Sequence, residues 1–151
     1  MRDLATLIER LEGIIDDRTV DEDDAILGVA HALDALLTHA QEAEYAFDDT
    51  DYPDPPEVDA VALRARVARR FPRLGHYNVA AEISTKIGES ECHVGDAARD
   101  LEEILADLTE IKWRLGNTST QDAHYEFQFG FRTHWGRHAR ELQLYIHDFH
   151  W

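Results

Sequence analysis

One stretch, AHYEFQFGFRTHWGRHARELQLYIHDFHW (residues 123–151), limits the folds open to this chain more than any other. It carries two of the three tryptophans and four of the six phenylalanines. Stepped at roughly 100° per residue, as a helix requires, Phe127, Phe131, His138, Leu142, Tyr145 and Phe149 fall on one face. Trp135, Ile146 and His124 lie at one edge of it and His134 at the other. The spacing predicts a single long amphipathic helix whose apolar side carries two histidines four residues apart. Such a face can be buried only against other apolar faces.

The rest of the chain supplies them. Residues 2–16 set Leu4, Leu7, Ile8, Leu11, Ile14 and Ile15 at helical spacing. A second helix is expected from Asp23 to Phe47, with Ile26, Val29, Ala30, Leu33, Leu37, Ala40 and Phe47 inward and acids in its first turn, where the helix dipole favours them. DDTDYPDPPE, residues 48–57, cannot continue a helix, because Pro53, Pro55 and Pro56 remove backbone donors and force extended geometry. Its aspartates lack the glycine turn and terminal glutamate of a calcium loop, so it reads as a solvated linker. A third helix, Glu57 to Phe71, is expected to turn Val58, Val61, Ala62, Ala65 and Ala68 inward. Residues 71–95 read as a long irregular connection: Tyr77 to Ile83 could be extended, but a lone strand has no partner. Asp96 suits the N-cap of a fourth helix running to Leu115, with Leu101, Ile104, Leu105, Leu108 and Ile111 in its seam. Thr118 with Gln121 reads as the capping box of the fifth. About five helices so connected predict an all-α protein, a helical bundle, in a single domain over residues 1–151.

Charge narrows the partners. Thirty-one acidic residues against 15 basic give a net −16. That field repels phosphate backbones and anionic headgroups, so neither nucleic acid nor membrane is expected as a partner. No apolar run approaches the ~20 residues that span a bilayer. The amino terminus lacks the apolar core of a leader, and one cysteine, Cys92, permits no internal disulfide, so a cytoplasmic location is expected.

Four groups of residues could carry chemistry. His134 and His138 can present two imidazoles to one divalent metal ion; a third ligand is hard to name, and Glu44, which points into the second helix's apolar stripe, is the candidate. The plainer alternative is a hydrogen-bonded polar patch in the core, whereas His31 and His39 are expected to face away. Asp96, Asp100, Glu103, Asp107 and Glu110 form an acidic stripe on the fourth helix, expected to be solvated, with Asp100 and Asp107 nearest the buried edge. Arg64, Arg66, Arg69, Arg70 and Arg73 could grip an anion, or pair with the chain's own acids. Trp113, Phe129 and Leu144 fall off the apolar faces of their helices and suggest a second contact surface. No nucleophile elbow, phosphate loop or dinucleotide fingerprint is present.

VGDAARDLEEILADLTEIKWRL (94–115) and EFQFGFRTHWGRHARELQLYIH (126–147), preceded by FPRLGHY (71–77), resemble a bacterial family known as domain of unknown function 5063. The resemblance covers roughly residues 57–147 and is strongest at HWG and its flanking aromatics; residues 1–50 match it only in helical character. It implies a helical bacterial protein and brings no activity, cofactor or site residue with it. The function expected from the residues is a non-catalytic module that binds another protein or itself and needs no cofactor. The alternative is a metal-dependent enzyme centred on His134 and His138.

Overall fold

The computed structural model describes residues 3–42 and 44–150. Six helices and one two-stranded hairpin follow in the order α1 (Leu4–Asp16), α2 (Glu22–Glu42), α3 (Ala60–Arg70), β1 (His76–Ala80), β2 (Cys92–Asp96), α4 (Ala97–Asn117), α5 (Thr120–Thr133) and α6 (Trp135–His150). The expected helical bundle is present, and one core draws on all six helices. Leu4, Ile8 and Leu11 meet Ile26, Leu33 and Leu36 from α2, Leu101, Ile104 and Leu108 from α4, and Phe127, Trp135 and Leu142 from α5 and α6. Each large apolar side chain so buried contributes roughly 1.5–3 kcal/mol. Helix α4 is the axis of the packing, touching α3, α5 and α6, while α2 lies against α1 and α6.

Short polar side chains start the helices, their oxygens taking backbone N–H groups that no helical turn can satisfy. Asp3 accepts from Thr6 N at 2.9 Å, Asp59 from Ala62 N at 3.0 Å and Asp96 from Arg99 N at 3.1 Å. The cap of α5 is Ser119, accepting from Asp122 N at 2.9 Å, one residue beyond the expected Thr118.

Four expectations are corrected. Helix α2 stops at Glu42, not Phe47 (position 43 lies outside the described residues). From Tyr45 onward the backbone is taken by α5: Tyr45 N donates to Gln128 Oε1 at 3.0 Å, and Gln121 Nε2 to Ala46 O at 3.1 Å. Helix α3 buries Leu63 and Val67, and Phe71 just past its end, while Val61, Ala62, Ala65 and Ala68 are exposed. A four-residue spacing of large side chains outweighs an alanine stripe because alanine has little apolar area to gain from burial.

The connection 71–95 contains an antiparallel hairpin, in which the strand at Tyr77 finds its partner in Cys92–Asp96, with Tyr77 opposite Gly95. Ala81 N donates to Glu91 O at 2.8 Å and extends the ladder. In the intervening loop Gly88 takes a φ of 78°, which glycine adopts without steric cost. Finally, the long helix expected over residues 123–151 is, among the described residues, two helices broken at His134.

Segment 48–57 is non-helical, as its prolines dictate. It is tied down at its start, where Asp48 accepts from Ser119 Oγ at 2.6 Å and Tyr52 Oη at 3.0 Å. These donors and Thr50 hold its carboxyl down to about 2.

Candidate functional site

The break between α5 and α6 accounts for the HWG triplet. His134 ends α5 with φ −146° and ψ −83°, its N–H bonded to Gly130 O at 2.8 Å. Trp135 drops fully into the core, and its indole N–H donates to Phe127 O at 3.0 Å. At Gly136 the new helix passes so close to the Phe131 carbonyl that a Cβ would collide with backbone, so only glycine fits. The bend preserves the histidine pair: the His134 and His138 rings lie edge to face with centroids 5.0 Å apart.

Each of these rings has its own acid on α4. His134 Nδ1 lies 2.8 Å from Asp107 Oδ2, and His138 Nδ1 lies 2.7 Å from Asp100 Oδ1. An ionised carboxylate only accepts, so Nδ1 is the protonated nitrogen in each ring. Asp100 is 4% exposed, and its other oxygen accepts from the Tyr77 hydroxyl on β1. The hairpin, α4 and α6 are thereby joined through one carboxylate. Tyr77 reaches it because its ring lies flat over Gly95, where any Cβ would strike the ring.

The electrostatics follow from these contacts. The Asp100 hydrogen bond holds the His138 pKa above its ordinary value, against a smaller opposing effect of burial. Burial raises the Asp107 carboxyl, with His134 pulling the other way. Burial, then the bond to Asp100, raises the Tyr77 phenol. A second histidine pair sits on the far side of the core. His39 on α2 and His124 on α5 have centroids 5.6 Å apart, and Tyr45 stacks on His124 at 4.4 Å. Contrary to expectation His39 does not face solvent: its side chain is 13% exposed and packs on Phe127. Burial, then the neighbouring His124, lowers its pKa.

The hairpin stands off α6 and leaves hollows on either side of β1. The larger, about 980 Å³, is mainly apolar: Val79, Ile83 and Val94 of the hairpin region face Phe131, Leu144 and Phe149 across it. Leu144 is 64% and Phe149 65% exposed. Arg132, Arg137 and Arg140 stand along its edge, with Glu141 and Asp148 as the acids. The smaller, about 550 Å³, opens above Asp100, His138 and Glu141 and is flanked by His76, His93, Asp96, Arg99 and Arg137. One potential ligand atom from each of Asp100, His138 and Glu141 lies within 4.8 Å of the other two.

Other expected site residues are scattered. Glu44 lies in the exposed segment after α2 and meets Arg132 at 3.5 Å, so it does not join the histidine pair. Arg64 forks onto Glu102 at 3.1 and 3.2 Å, and Arg66 meets Asp16 at 2.7 Å. Arg70 donates to Val20 O at 3.0 Å, whereas Arg69 is exposed. The cluster therefore staples α3 to neighbouring elements rather than presenting five free cations. Trp113 is half-buried on α4; Phe129 stacks on Tyr125, which meets Phe47 edge-on. Of the three residues off their helical faces only Leu144 lines the large groove. The acidic stripe is not uniformly solvated either: Asp100 is buried and Asp107 bonded to His134, the two acids nearest the seam. Tyr77 and Glu141 went unrecognised, Tyr77 because its strand was not expected and Glu141 because it sits among ordinary surface charges one turn beyond His138.

A comparison with solved structures finds the crystal structure of protein BF1032 from Bacteroides fragilis, at a TM-score of 0.67 and 17% identity, covering 98% of this chain and 85% of that one. That likeness is one of fold. A search of curated proteins finds no match. A family model matches residues 2–150, including the amino-terminal helices that the sequence resemblance did not reach. The chain belongs to the family described as domain of unknown function 5063.

Proposed function

We propose that the protein is a non-catalytic interaction module that holds an amphipathic, acid-edged helix of a partner protein in the groove between its hairpin and α6. The observation that carries this reading is the groove's apolar wall. Leucine and phenylalanine at positions 144 and 149 are left mostly in water, beside valines and an isoleucine of the hairpin that face the same space. Apolar surface gathered in a concavity characterises binding sites, whereas scattered single residues do not. From Gly136 to Phe149 the α6 wall is roughly 20 Å long at 1.5 Å per residue, which suits three to four turns of a bound helix. Arg140, at the edge, has no hydrogen bond or ion pair among the described residues and favours acids beside the partner's apolar anchors. A cytoplasmic location belongs to the same reading; no helix of the described residues is long and apolar enough to cross a membrane.

The test uses two designed helical peptides with one apolar face, flanked by glutamates in the first and lysines in the second. Titrated against the full chain by fluorescence anisotropy, the acidic peptide is expected to bind at least tenfold more tightly. Leu144→Asp is expected to abolish that preference and Arg140→Glu to reduce it. Equal binding of both peptides, no binding of either, or a concentration-dependent dimer in sedimentation that Leu144→Asp dissolves would each overturn the proposal.

A further inference from the structure

We propose that Asp100, His138 and Glu141 form a binding site for one divalent transition-metal ion, which needs no occupant in the groove. The three come from facing helices, Asp100 from α4 and His138 and Glu141 one turn apart on α6. Their ligand atoms lie within 4.8 Å of one another, close enough that small side-chain shifts bring all three within the ~2.0–2.2 Å reach of a single ion.

The local hydrogen bonds leave one feature that a simple ion pair does not need. Asp100 has both oxygens engaged, one with His138 and one with Tyr77, and is fixed in place. Glu141 has Oε1 held by Arg137 Nε at 2.8 Å, while its Oε2 has no hydrogen-bond partner among the described residues. The Glu141 side chain is 22% exposed, and this free oxygen adds a second carboxylate beside the His138–Asp100 pair. An ion entering between them takes the place of the proton shared by His138 and Asp100, which leaves for solvent. Arg137 then serves as the outer partner that orients the Glu141 carboxylate.

The cavity of about 550 Å³ above the three residues gives an entry path and room for water ligands. Asp96 at its rim and the −16 charge of the chain draw cations toward it, while Arg99 and Arg137 oppose them. One imidazole and two carboxylates, with no thiolate, suit Mn²⁺, Fe²⁺, Co²⁺ or Zn²⁺ rather than Cu⁺.

Tag-free protein stripped with chelator and titrated with MnCl₂, CoCl₂ and ZnCl₂ by calorimetry tests the site. One ion per chain is expected, with affinity reduced at least tenfold by Glu141→Gln and by His138→Gln. Both variants are checked by circular dichroism, and Glu141→Gln, at a partly exposed position, keeps the test valid if His138→Gln unfolds. His93→Ala, on the exposed rim, is expected to bind as the parent does. Co²⁺ absorption is expected to show a nitrogen–oxygen site of five or six ligands. No binding at millimolar metal, binding unchanged in Glu141→Gln, or binding lost in His93→Ala would overturn the assignment.

Discussion

The two histidine pairs differ in what surrounds them rather than in how deeply they are set. His138 and His39 are both partly buried, with side chains 27% and 13% exposed. His138 has a fixed carboxylate beside it and its pKa is raised. His39 has rings, including another imidazole, and its pKa is lowered. Burial alone disfavours the charged imidazole in both places, so the sign is decided by whether an acid is within hydrogen-bond reach. Beside His39 the acid is Glu42 at 3.6 Å, too far for a hydrogen bond, and its upward pull is smaller than the lowering by burial and His124.

The largest expected effect comes from removing that acid. Asp100→Ala takes the acceptor from both His138 and Tyr77 and is expected to cost about 3 kcal/mol in denaturant unfolding. His138→Leu leaves Asp100 with Tyr77 only and is expected to cost ~1–3 kcal/mol. The double variant should cost less than the two separate losses together, because both report one interaction; strict additivity would show that the pair is not coupled.

With chelator present, the pH dependence separates the regions by direction. The raised pKa of His138 gives stability that is complete below its ordinary 6.5 and lost as pH rises through the raised value. The lowered pKa of His39 gives the opposite slope: stability is complete above 6.5 and falls with pH between 6.5 and the lowered value. Histidine ring titrations by NMR are expected to place His138 above His39, and coincident midpoints would erase the distinction. The smallest effect is expected for His39→Leu, within about 0.5 kcal/mol at pH 7, since no acceptor loses its donor. It should also remove the acid-side loss attributed to His39.

Helical period made most of the bundle legible. The seam of α4, its Asp96 cap and the core face of α2 follow from spacing alone. What escaped depends on contacts between residues distant in sequence. The halt at Glu42 depends on Gln128, and the break at His134 on a close approach of Gly136 to the Phe131 carbonyl, which leaves no trace in hydrophobic rhythm. The two strands are separated by an eleven-residue loop without a tight-turn signature, so neither announces the other. At the candidate site His138 was readable as an inward histidine and Asp100 as an acid near the seam. Their pairing required knowing how α4 and α6 are rotated against each other.

Gly95 on β2 sits against the ring of Tyr77, its cross-strand partner on β1, and the hairpin is a shared wall between the two hollows. His76, Val79, Ala80, Arg137 and Glu141 line both. A methyl at position 95 would act as a shim, tilting that wall by displacing the Tyr77 ring without altering any charge. Because one partition bounds both spaces, whatever shifts it changes both apertures together. An occupant on one side that favours one tilt must, by thermodynamic reciprocity, alter the affinity of an occupant on the other by the same factor.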